Sequence, residues 1–111
     1  MLRFNGTLFF IGGRMVELTS ETFPEAINSE DSILIDFWAP WCGPCLQLTK
    51  TLEGIGSDRI YKVNVDECPE IASQYDVRSI PTMVLFKAGE PIDVLVGNQT
   101  KSKIISVLAK H

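Results

Sequence analysis

The sequence predicts an α/β fold with a mixed β-sheet. A continuous apolar run, residues 33–38, is interrupted only by Asp36, and such a run is typical of a strand that is buried on both faces of a sheet. Segments with strand and helix periodicity then alternate along the chain, which favours parallel strands joined by helices. Near the C-terminus, two strand segments are separated by a short turn containing Gly89 and are followed by a helix. The hairpin adds an antiparallel pair, so the sheet is predicted to be mixed.

The elements follow one another in a regular order. The patterns predict a helix, a strand, a helix, a strand, a short helix, a hairpin and a final helix, at about residues 22–29, 33–38, 42–55, 60–65, 68–75, 82–86 with 92–96, and 100 onward. Two cysteines open the second helix, and its inner face is marked by residues that recur at helical spacing, namely Cys45, Leu48, Leu52 and Ile55.

The first and last helices carry recognisable ends and inner faces. Ser20 or Thr22 is the predicted cap of the first helix, and Phe23 and Ile27 face inward at i,i+4 spacing. The last helix is expected to start at Thr100, whose hydroxyl can cap it. Its inner stripe is predicted to consist of Ile104, Ile105 and Leu108.

Cys42 and Cys45 lie three residues apart, where the apolar strand runs into the second helix. The first turn of a helix offers unpaired N–H groups and the positive end of the helix dipole, and both favour a thiolate over a thiol at Cys42. Cys45 lies one turn deeper and within disulfide reach. We therefore expect Cys42 to attack a disulfide and Cys45 to resolve the mixed disulfide that forms. Pro44 fits the first helical turn, where its missing N–H has no helical partner.

Asp36 is the one acid inside the apolar strand. Apolar neighbours on both sides favour burial, and burial raises the pKa of a carboxyl group. A buried acid of this kind can take the proton from Cys45 when that residue attacks the mixed disulfide. The plainer alternative is an acid that faces solvent on an edge strand, and it stays open at this point.

Several segments of the chain resemble the thioredoxin family. Residues 41–45, Trp-Cys-Gly-Pro-Cys, match its active-site signature, and Asp36 begins the Asp-Phe-Trp-Ala segment that precedes it in the family. Residues 80–82, Ile-Pro-Thr, match the cis-proline loop that faces the active site. Gly97 matches a glycine of the substrate-binding surface, and Lys62 stands where the family carries a lysine near the buried acid. A lone pair of cysteines would be a weak signal, whereas this combination is specific.

The resemblance covers residues 15–111, which are therefore expected to form one thioredoxin domain. It implies the thioredoxin fold, a mixed central sheet of about five strands flanked by about four helices. It also implies a thiol-disulfide oxidoreductase that reduces protein disulfides through the Cys42/Cys45 dithiol. Gly43 and Pro44, between the cysteines, resemble the reducing members of the family, since an isomerase or oxidant more often carries a histidine there.

The resemblance further implies roles for residues outside the cysteine pair. Pro81 is expected in the cis form, which would leave the backbone of Ile80 free to pair with an extended segment of substrate. Trp41 is expected to be partly exposed and, with Gly97, to shape the substrate-binding surface. Lys62 is expected to act electrostatically on the buried acid. A trans proline, a tryptophan that only packs and an ordinary surface lysine remain the alternatives.

The implied cofactors and partners follow from the same resemblance. No metal or organic cofactor is expected, since the redox group is the Cys42–Cys45 disulfide itself. The implied partners are disulfide-containing protein substrates and, as electron donor, a dithiol or a flavin-dependent thioredoxin reductase. A monomer is expected.

Two departures from the family pattern concern the choice of partner. Leu46 stands where the family usually has a basic residue, and Lys50 stands where it has a helix-kinking proline. The stretch 46–59 is also shorter than usual, so the active-site helix is expected to be shorter and straighter. An apolar residue in place of a charge at the rim of the site should alter which reductase docks.

Composition narrows the class of protein. With 111 residues, one domain is the default, and no stretch approaches the ~18 apolar residues of a membrane span. A formal net charge of -4 without a basic run argues against nucleic acid or an anionic membrane surface as the main partner. Three cysteines, an odd number, do not make a disulfide framework, and a catalytic pair favours a reducing compartment. The expected location is the cytoplasm.

Other interpretations of the cysteines lead to other classes of function. A zinc site would have to recruit Cys68 and His111, since the sequence has no second Cys-x-x-Cys or His-x-x-x-His. A thioredoxin-fold binding module, with an incidental redox pair, and a disulfide isomerase or oxidase are the alternatives within the fold. Cys68 is most simply a helix-start residue, and a redox role for it is the less favoured interpretation.

Residues 1–14 lie outside the resemblance. A secretory signal is disfavoured, because the apolar core at 8–11 is shorter than the ~7–15 residues required and no small-residue cleavage site follows. Asn5 and Gly6 stand between two apolar segments in a hairpin pattern, which would add strand to a sheet edge. The alternative is a mobile extension upstream of a start at Met15.

Overall fold

The computed structural model describes residues 15–111. Nine elements follow one another in this part of the chain: β1 (Val16–Leu18), α1 (Phe23–Ile27), β2 (Ile33–Trp38), α2 (Gly43–Ile55), β3 (Ile60–Asn64), α3 (Pro69–Gln74), β4 (Thr82–Lys87), β5 (Glu90–Val96) and α4 (Lys101–Lys110). The two interpretations of residues 1–14, an edge hairpin or a mobile extension, concern residues outside this range.

The five strands form one mixed sheet in the order β1-β3-β2-β4-β5. The β1, β3 and β2 strands run parallel to one another, whereas β4 is antiparallel to both β2 and β5. The predicted mixed α/β sheet is thus confirmed, with the apolar strand β2 at its centre. β2 is the central strand of the sheet. The helix that follows it, α2, therefore begins at the middle of the edge where β2 ends.

Helices cover both faces of the sheet, and the alternation of side chains along β2 separates two cores. Ile35 and Phe37 point to the face covered by α1 and α3, where they pack with Phe23, Ile27 and Ile71. Leu34 points to the opposite face, where its cluster is built with α2 and α4 and includes Leu48, Leu52, Ile104 and Leu108. Since both faces are covered, the run from Ile33 to Phe37 is buried throughout, which explains its continuous apolar sequence.

The α2 helix has clear signals at both ends. Cys42 is its N-cap, in extended conformation, and Pro44 lies in the first turn as predicted. The helix ends at Gly56, which adopts the left-handed conformation with φ of 69° and donates its N–H to the carbonyl of Leu52. A glycine suits this position because residues with a Cβ rarely adopt it.

The α1 helix is shorter than the predicted 22–29 and lacks the predicted side-chain cap. Thr22 has helical backbone angles, and neither it nor Ser20 caps the helix through its side chain. The C-terminal end is cut short because the β4–β5 turn docks there. The N–H groups of Ala88 and Gly89 donate to the carbonyls of Ser29 and Ile27, so those oxygens bond to the turn.

In α4, one residue of the predicted inner face, Ile105, is wrong. Thr100 caps the helix as predicted, its hydroxyl accepting the N–H of Lys103 at 3.2 Å. Ile104 and Leu108 are buried, but Ile105 is 44% exposed and Val107 takes the inner position. At 100° per residue, positions 104, 107 and 108 share one face whereas 105 turns away from it.

The remaining differences concern strand boundaries. The β1 strand was not placed by the sequence patterns, β3 ends one residue before the predicted Val65, and β5 starts two residues before the predicted Ile92. Hairpin pairing of Lys87 with Glu90 accounts for the longer β5. No helix in residues 15–111 is long and apolar enough to cross a membrane.

Candidate active site

The two cysteines of α2 are joined in a disulfide at the N-terminus of the helix. Their Cα atoms are 5.2 Å apart, within the range that a disulfide requires. The backbone N–H of Cys45 donates to the Sγ of Cys42 at 3.2 Å, so this sulfur caps the helix. An N–H donor and the positive end of the helix dipole both stabilise negative charge on sulfur.

The two sulfurs differ in access. Cys45 is fully buried, whereas 6% of Cys42 is exposed, and both pack against Ala39 and the partly buried Trp38 and Ile80. The geometry therefore presents Cys42, the sulfur at the helix terminus, to an incoming molecule. Because Cys45 is fully buried, it can react with the incoming molecule only after Cys42 has formed a bond to it.

The loop at residues 79–82 faces the cysteine pair. The Ile80–Pro81 peptide is cis, as predicted, and the carbonyl oxygen of Ile80 lies 3.9 Å from the Sγ of Cys42. Two hydrogen bonds fix this loop: the Thr82 hydroxyl donates to the carbonyl of Ser79 at 2.7 Å, and the Gly97 N–H donates to the carbonyl of Pro81 at 2.8 Å. The loop, Gly97 and the cysteines thus lie together.

Gly97 follows the last residue of β5 in a conformation that favours glycine, with φ of 86°. A side chain there would be strained, although a Cβ would meet no heavy atom within 4 Å. The surface beside the cis-proline loop is therefore open at this residue.

Large apolar side chains flank Cys42 on the surface. Trp41 is 69% exposed, as predicted, and its indole Nε1 donates to the Asp66 carboxylate at 2.8 Å. Leu46 is 45% exposed at the next turn of the helix. Asp66 was not identified from the sequence, and its only signal was its place immediately after the strand predicted at residues 60–65.

Asp36 is fully buried, which settles the question of its exposure in favour of the predicted burial. Neither carboxylate oxygen has a hydrogen-bond partner among the described residues. The pKa of Asp36 is raised to about 7, mainly by burial; the nearby Lys62 acts to lower it and Glu17 acts to raise it. A carboxyl with this pKa exchanges its proton near neutral pH.

The position of Asp36 on β2 directs it towards the cysteines. Leu34 and Trp38 lie two residues to either side and share its face of the sheet. Leu34 belongs to the cluster that includes Leu48 of α2, and Trp38 packs against the cluster that contains Cys45. Asp36 therefore lies beneath the first turns of α2, on the side of the buried sulfur.

Lys62 lies next to Asp36, as predicted. The two residues are paired across β3 and β2, and the Lys62 Nζ lies 4.2 Å from the centre of the Trp38 ring. On the other side of β3, Glu17 is paired with Lys62, and its carboxylate accepts the indole N–H of Trp38 at 3.0 Å. Glu17 was missed because its strand was not placed.

Cys68 and His111 lie outside this constellation. Cys68 lies at the start of α3, as predicted, and the structure shows it buried in the core on the α1 and α3 face. His111 has its Nε2 3.5 Å from the carboxylate of Asp93 on β5. Residues 15–111 contain no group of three or more histidine, cysteine or acidic side chains placed to hold a metal ion.

The arrangement as a whole suits thiol-disulfide exchange. It combines two cysteines at disulfide distance, a helix terminus that stabilises one sulfur as a thiolate, and a buried carboxyl group on the side of the other. The exposed apolar side chains and the cis-proline loop provide a surface on which a second protein can lie.

Comparison with known proteins agrees with this chemistry. The sequence model of the Thioredoxin family matches residues 14–110. "Thioredoxin 1" of Nostoc sp. is 43% identical over 101 residues, covering 86% of this chain and 94% of that protein. The thioredoxin of Staphylococcus haemolyticus is 44% identical over 102 residues, covering 87% and 97%.

Solved structures give the same result for the fold. The thioredoxin of Malassezia sympodialis superposes with a TM-score of 0.79 at 35% identity, covering 87% of this chain and 90% of that one. A thioredoxin variant from Halobacterium salinarum superposes with a TM-score of 0.81 at 31% identity, covering 89% and 91%.

Proposed function

This chain belongs to the thioredoxin family and is a thiol-disulfide oxidoreductase, and from that premise we propose how its own residues divide the reaction. Cys42 is the attacking sulfur and Cys45 the resolving sulfur. The observation that carries the assignment is the helix cap: the Sγ of Cys42 accepts an N–H at the terminus of α2, while Cys45 is fully buried.

The reaction proceeds in two exchanges. In the first, the Cys42 thiolate attacks one sulfur of a substrate disulfide, the substrate S–S bond breaks, and one substrate thiolate leaves and takes a proton from water. In the second, Cys45 loses its proton and attacks the Cys42 sulfur of the mixed disulfide. The second substrate thiolate leaves, and the Cys42–Cys45 disulfide forms. Two electrons have then passed from the enzyme to the substrate.

Asp36 is the base of the second exchange in this proposal. Its position beneath α2 and its free carboxylate oxygens allow it to accept the Cys45 proton, directly or through a water molecule. A pKa of about 7 leaves a large fraction ionised at neutral pH while keeping the carboxylate basic enough to hold a proton.

The substrate lies across the surface around Cys42. The backbone of Ile80 beside Pro81 pairs with an extended segment of the substrate, which gives affinity for many sequences. Trp41 and the open surface at Gly97 flank that segment. Gly43, the first residue of α2, adds no side chain beside the attacking sulfur.

The partners and setting of the enzyme follow from this chemistry. Disulfide-containing proteins are the substrates, and a thioredoxin reductase, dithiol or flavin-dependent, returns the electrons. Leu46, exposed at the rim, selects a reductase that presents an apolar patch at this point. We place residues 15–111 in the cytoplasm as a monomeric thioredoxin domain, since a disulfide reductant needs a reducing compartment.

The proposal is tested by turnover of a disulfide-bonded test protein with dithiothreitol as electron donor. The wild-type chain should accelerate reduction well above dithiothreitol alone, whereas Cys42→Ser should fall to that background. Cys68→Ser, which removes the one cysteine outside the pair, is the matched control and should retain the activity. If Cys42→Ser kept the activity, the assignment of the attacking sulfur would be wrong. If the wild type gave no acceleration, the protein would act as a binding module.

A further inference from the structure

We propose that Glu17 is a positioning residue for the proton transfer at Asp36: it shares the ammonium group of Lys62 with the buried carboxyl and so keeps Asp36 an effective proton acceptor. The inference rests on the proposed function of Asp36 as the base for Cys45. It assigns a purpose to an acid on the short first strand that is otherwise unexplained by the fold.

The pairing of strands places the three charged residues in one row. Glu17 on β1 is paired with Lys62 on β3, and Lys62 is paired with Asp36 on β2. Neighbours such as Leu18 and Val63 belong to the core on the opposite face, so all three charged side chains extend from the same face. With strands about 4.8 Å apart, the two acidic residues lie about 10 Å apart with the lysine between them.

The Trp38 side chain contacts two members of the row formed by Glu17, Lys62 and Asp36, namely Glu17 and Lys62. Its indole N–H donates to Glu17 at 3.0 Å, and the Nζ of Lys62 lies 4.2 Å from the centre of its ring. The same tryptophan packs against Cys42 and Cys45. Glu17 therefore helps to fix the orientation of the Trp38 ring. That ring contacts the Lys62 ammonium group and packs against the two cysteines.

The charges act on Asp36 in opposite directions. Beyond the effect of burial, Lys62 favours the ionised form of Asp36 and lowers its pKa, whereas Glu17 disfavours that form and raises the pKa. The pKa of Glu17 itself is raised by burial of its carboxyl and lowered by the Trp38 hydrogen bond and by Lys62. Lys62 thus favours the ionised form of both acids, and removal of the Glu17 charge would leave the effect of Lys62 on Asp36 unopposed.

The other elements packed against Asp36 add no further carboxylate. The paired residue on β4 is Met83, which does not titrate, and the charged groups that shift the pKa of Asp36 are Lys62 and Glu17 alone. Glu67 acts on Glu17, raising its pKa, but is not among the charges that shift Asp36. Within residues 15–111, Glu17 is therefore the acid through which the environment of Asp36 can be changed without touching the reacting groups.

Glu17→Gln is the variant that tests the proposal, because glutamine keeps an oxygen for the Trp38 indole while removing the charge. The titration midpoint of Asp36 is followed by carboxyl carbon NMR in the oxidised, folded protein. We expect it to fall by about half a unit to one unit, the size of a like charge about 10 Å away in a partly buried site. Glu67→Gln, the matched control, makes the same change in net charge and should leave the midpoint unchanged.

The second readout is the pH profile of the resolving step. Cys42 is loaded with thionitrobenzoate as a mixed disulfide, and release of the coloured thiolate by Cys45 is timed across pH. The acid limb should move to lower pH by the same shift in Glu17→Gln and should stay in place in Glu67→Gln. A role limited to packing would change the rate without moving this limb.

The outcomes separate this inference from the proposed function. An unchanged Asp36 midpoint in Glu17→Gln, an upward shift, or an equal shift in Glu67→Gln would overturn the assignment of Glu17. A lowered midpoint with an unmoved rate profile would support the electrostatic effect of Glu17 on Asp36 but would contradict the role of Asp36 as the base, and with it any role of Glu17 in the proton transfer. A lowered midpoint with a matching shift of the profile supports both.

Discussion

Cys45→Ser should convert the enzyme from a turnover catalyst into a trap for its substrates. Cys42 still lies at the terminus of α2 and can attack a disulfide, but the serine hydroxyl in place of the buried thiol cannot release the product. The mixed disulfide should therefore accumulate with one substrate molecule per enzyme. Multiple-turnover reduction should fall by roughly 10³-fold or more, as expected when a reacting group is removed.

Mass spectrometry under non-reducing conditions identifies the adduct and the cysteine that carries it. The mixed-disulfide adduct should lie on Cys42 and should be released by dithiothreitol. Cys42→Ser should give no adduct under the same conditions, and the double variant Cys45→Ser/Cys68→Ser should trap as well as the single one. Adducts that form on Cys45 in Cys42→Ser as fast as they form on Cys42 in Cys45→Ser would reverse the two roles.

Asp36→Ala should stabilise the fold above neutral pH. The pKa of Asp36 is about 7 in the folded protein and 3.8 in its unperturbed state, so between these values the folded protein keeps a proton that the unfolded chain has lost. The free energy of unfolding therefore falls as pH rises from about 4 to about 7. A shift of about three units corresponds to roughly 4 kcal/mol, against which the cavity left by alanine costs about 1 kcal/mol.

We expect a net gain of about 3 kcal/mol at pH 8 and a clearly smaller one at pH 4, measured by denaturant unfolding of the oxidised protein. Asp31→Ala, an exposed acid in the loop before β2, is the matched control and should change stability by no more than about 0.5 kcal/mol. In the same variant the resolving step should slow on the order of a hundredfold at pH 7. A loss of stability at pH 8, or a resolving rate equal to that of wild type, would contradict the buried-base account.

The local sequence around β2 and α2 contained most of the information about the site. The run from Ile33 to Trp38 is apolar because helices cover both faces of the sheet, and this makes the burial of Asp36 predictable. The helix-start geometry of Cys42 and Cys45 follows equally from the spacing of apolar residues after them. In both cases the relevant interactions are made by residues close together in the chain.

Features that depend on distant parts of the chain were not predictable in this way. Glu17 reaches the site only because β1 pairs with β3, about 45 residues later, and a three-residue strand leaves almost no periodic signal. The early end of α1 depends on the docked turn at Ala88 and Gly89. The hydrogen bond from Trp41 to Asp66 likewise joins two loops at the ends of neighbouring strands.

The inner face of α4 illustrates a different limit. Ile104, Ile105 and Leu108 are all apolar, and the sequence pattern wrongly assigned Ile105 to the inner face in place of Val107. The structure places Val107 inside and leaves Ile105 exposed, because the helix is oriented by its packing on Leu34 and Leu95 of the sheet. Sequence periodicity predicts that a helix has a buried face more reliably than it predicts which residues lie at the centre of that face.

The reduction potential of the Cys42/Cys45 pair tests the central claim most directly. The protein is equilibrated with defined thiol-disulfide buffers, and the oxidised fraction is read by thiol alkylation. We predict a reversible two-electron transition at a potential more negative than the cytosolic glutathione poise, roughly -220 to -260 mV by extraction methods, as a disulfide reductant requires. A potential well above that range would make the enzyme an oxidant or isomerase, and the absence of any reversible disulfide would contradict the catalytic account altogether.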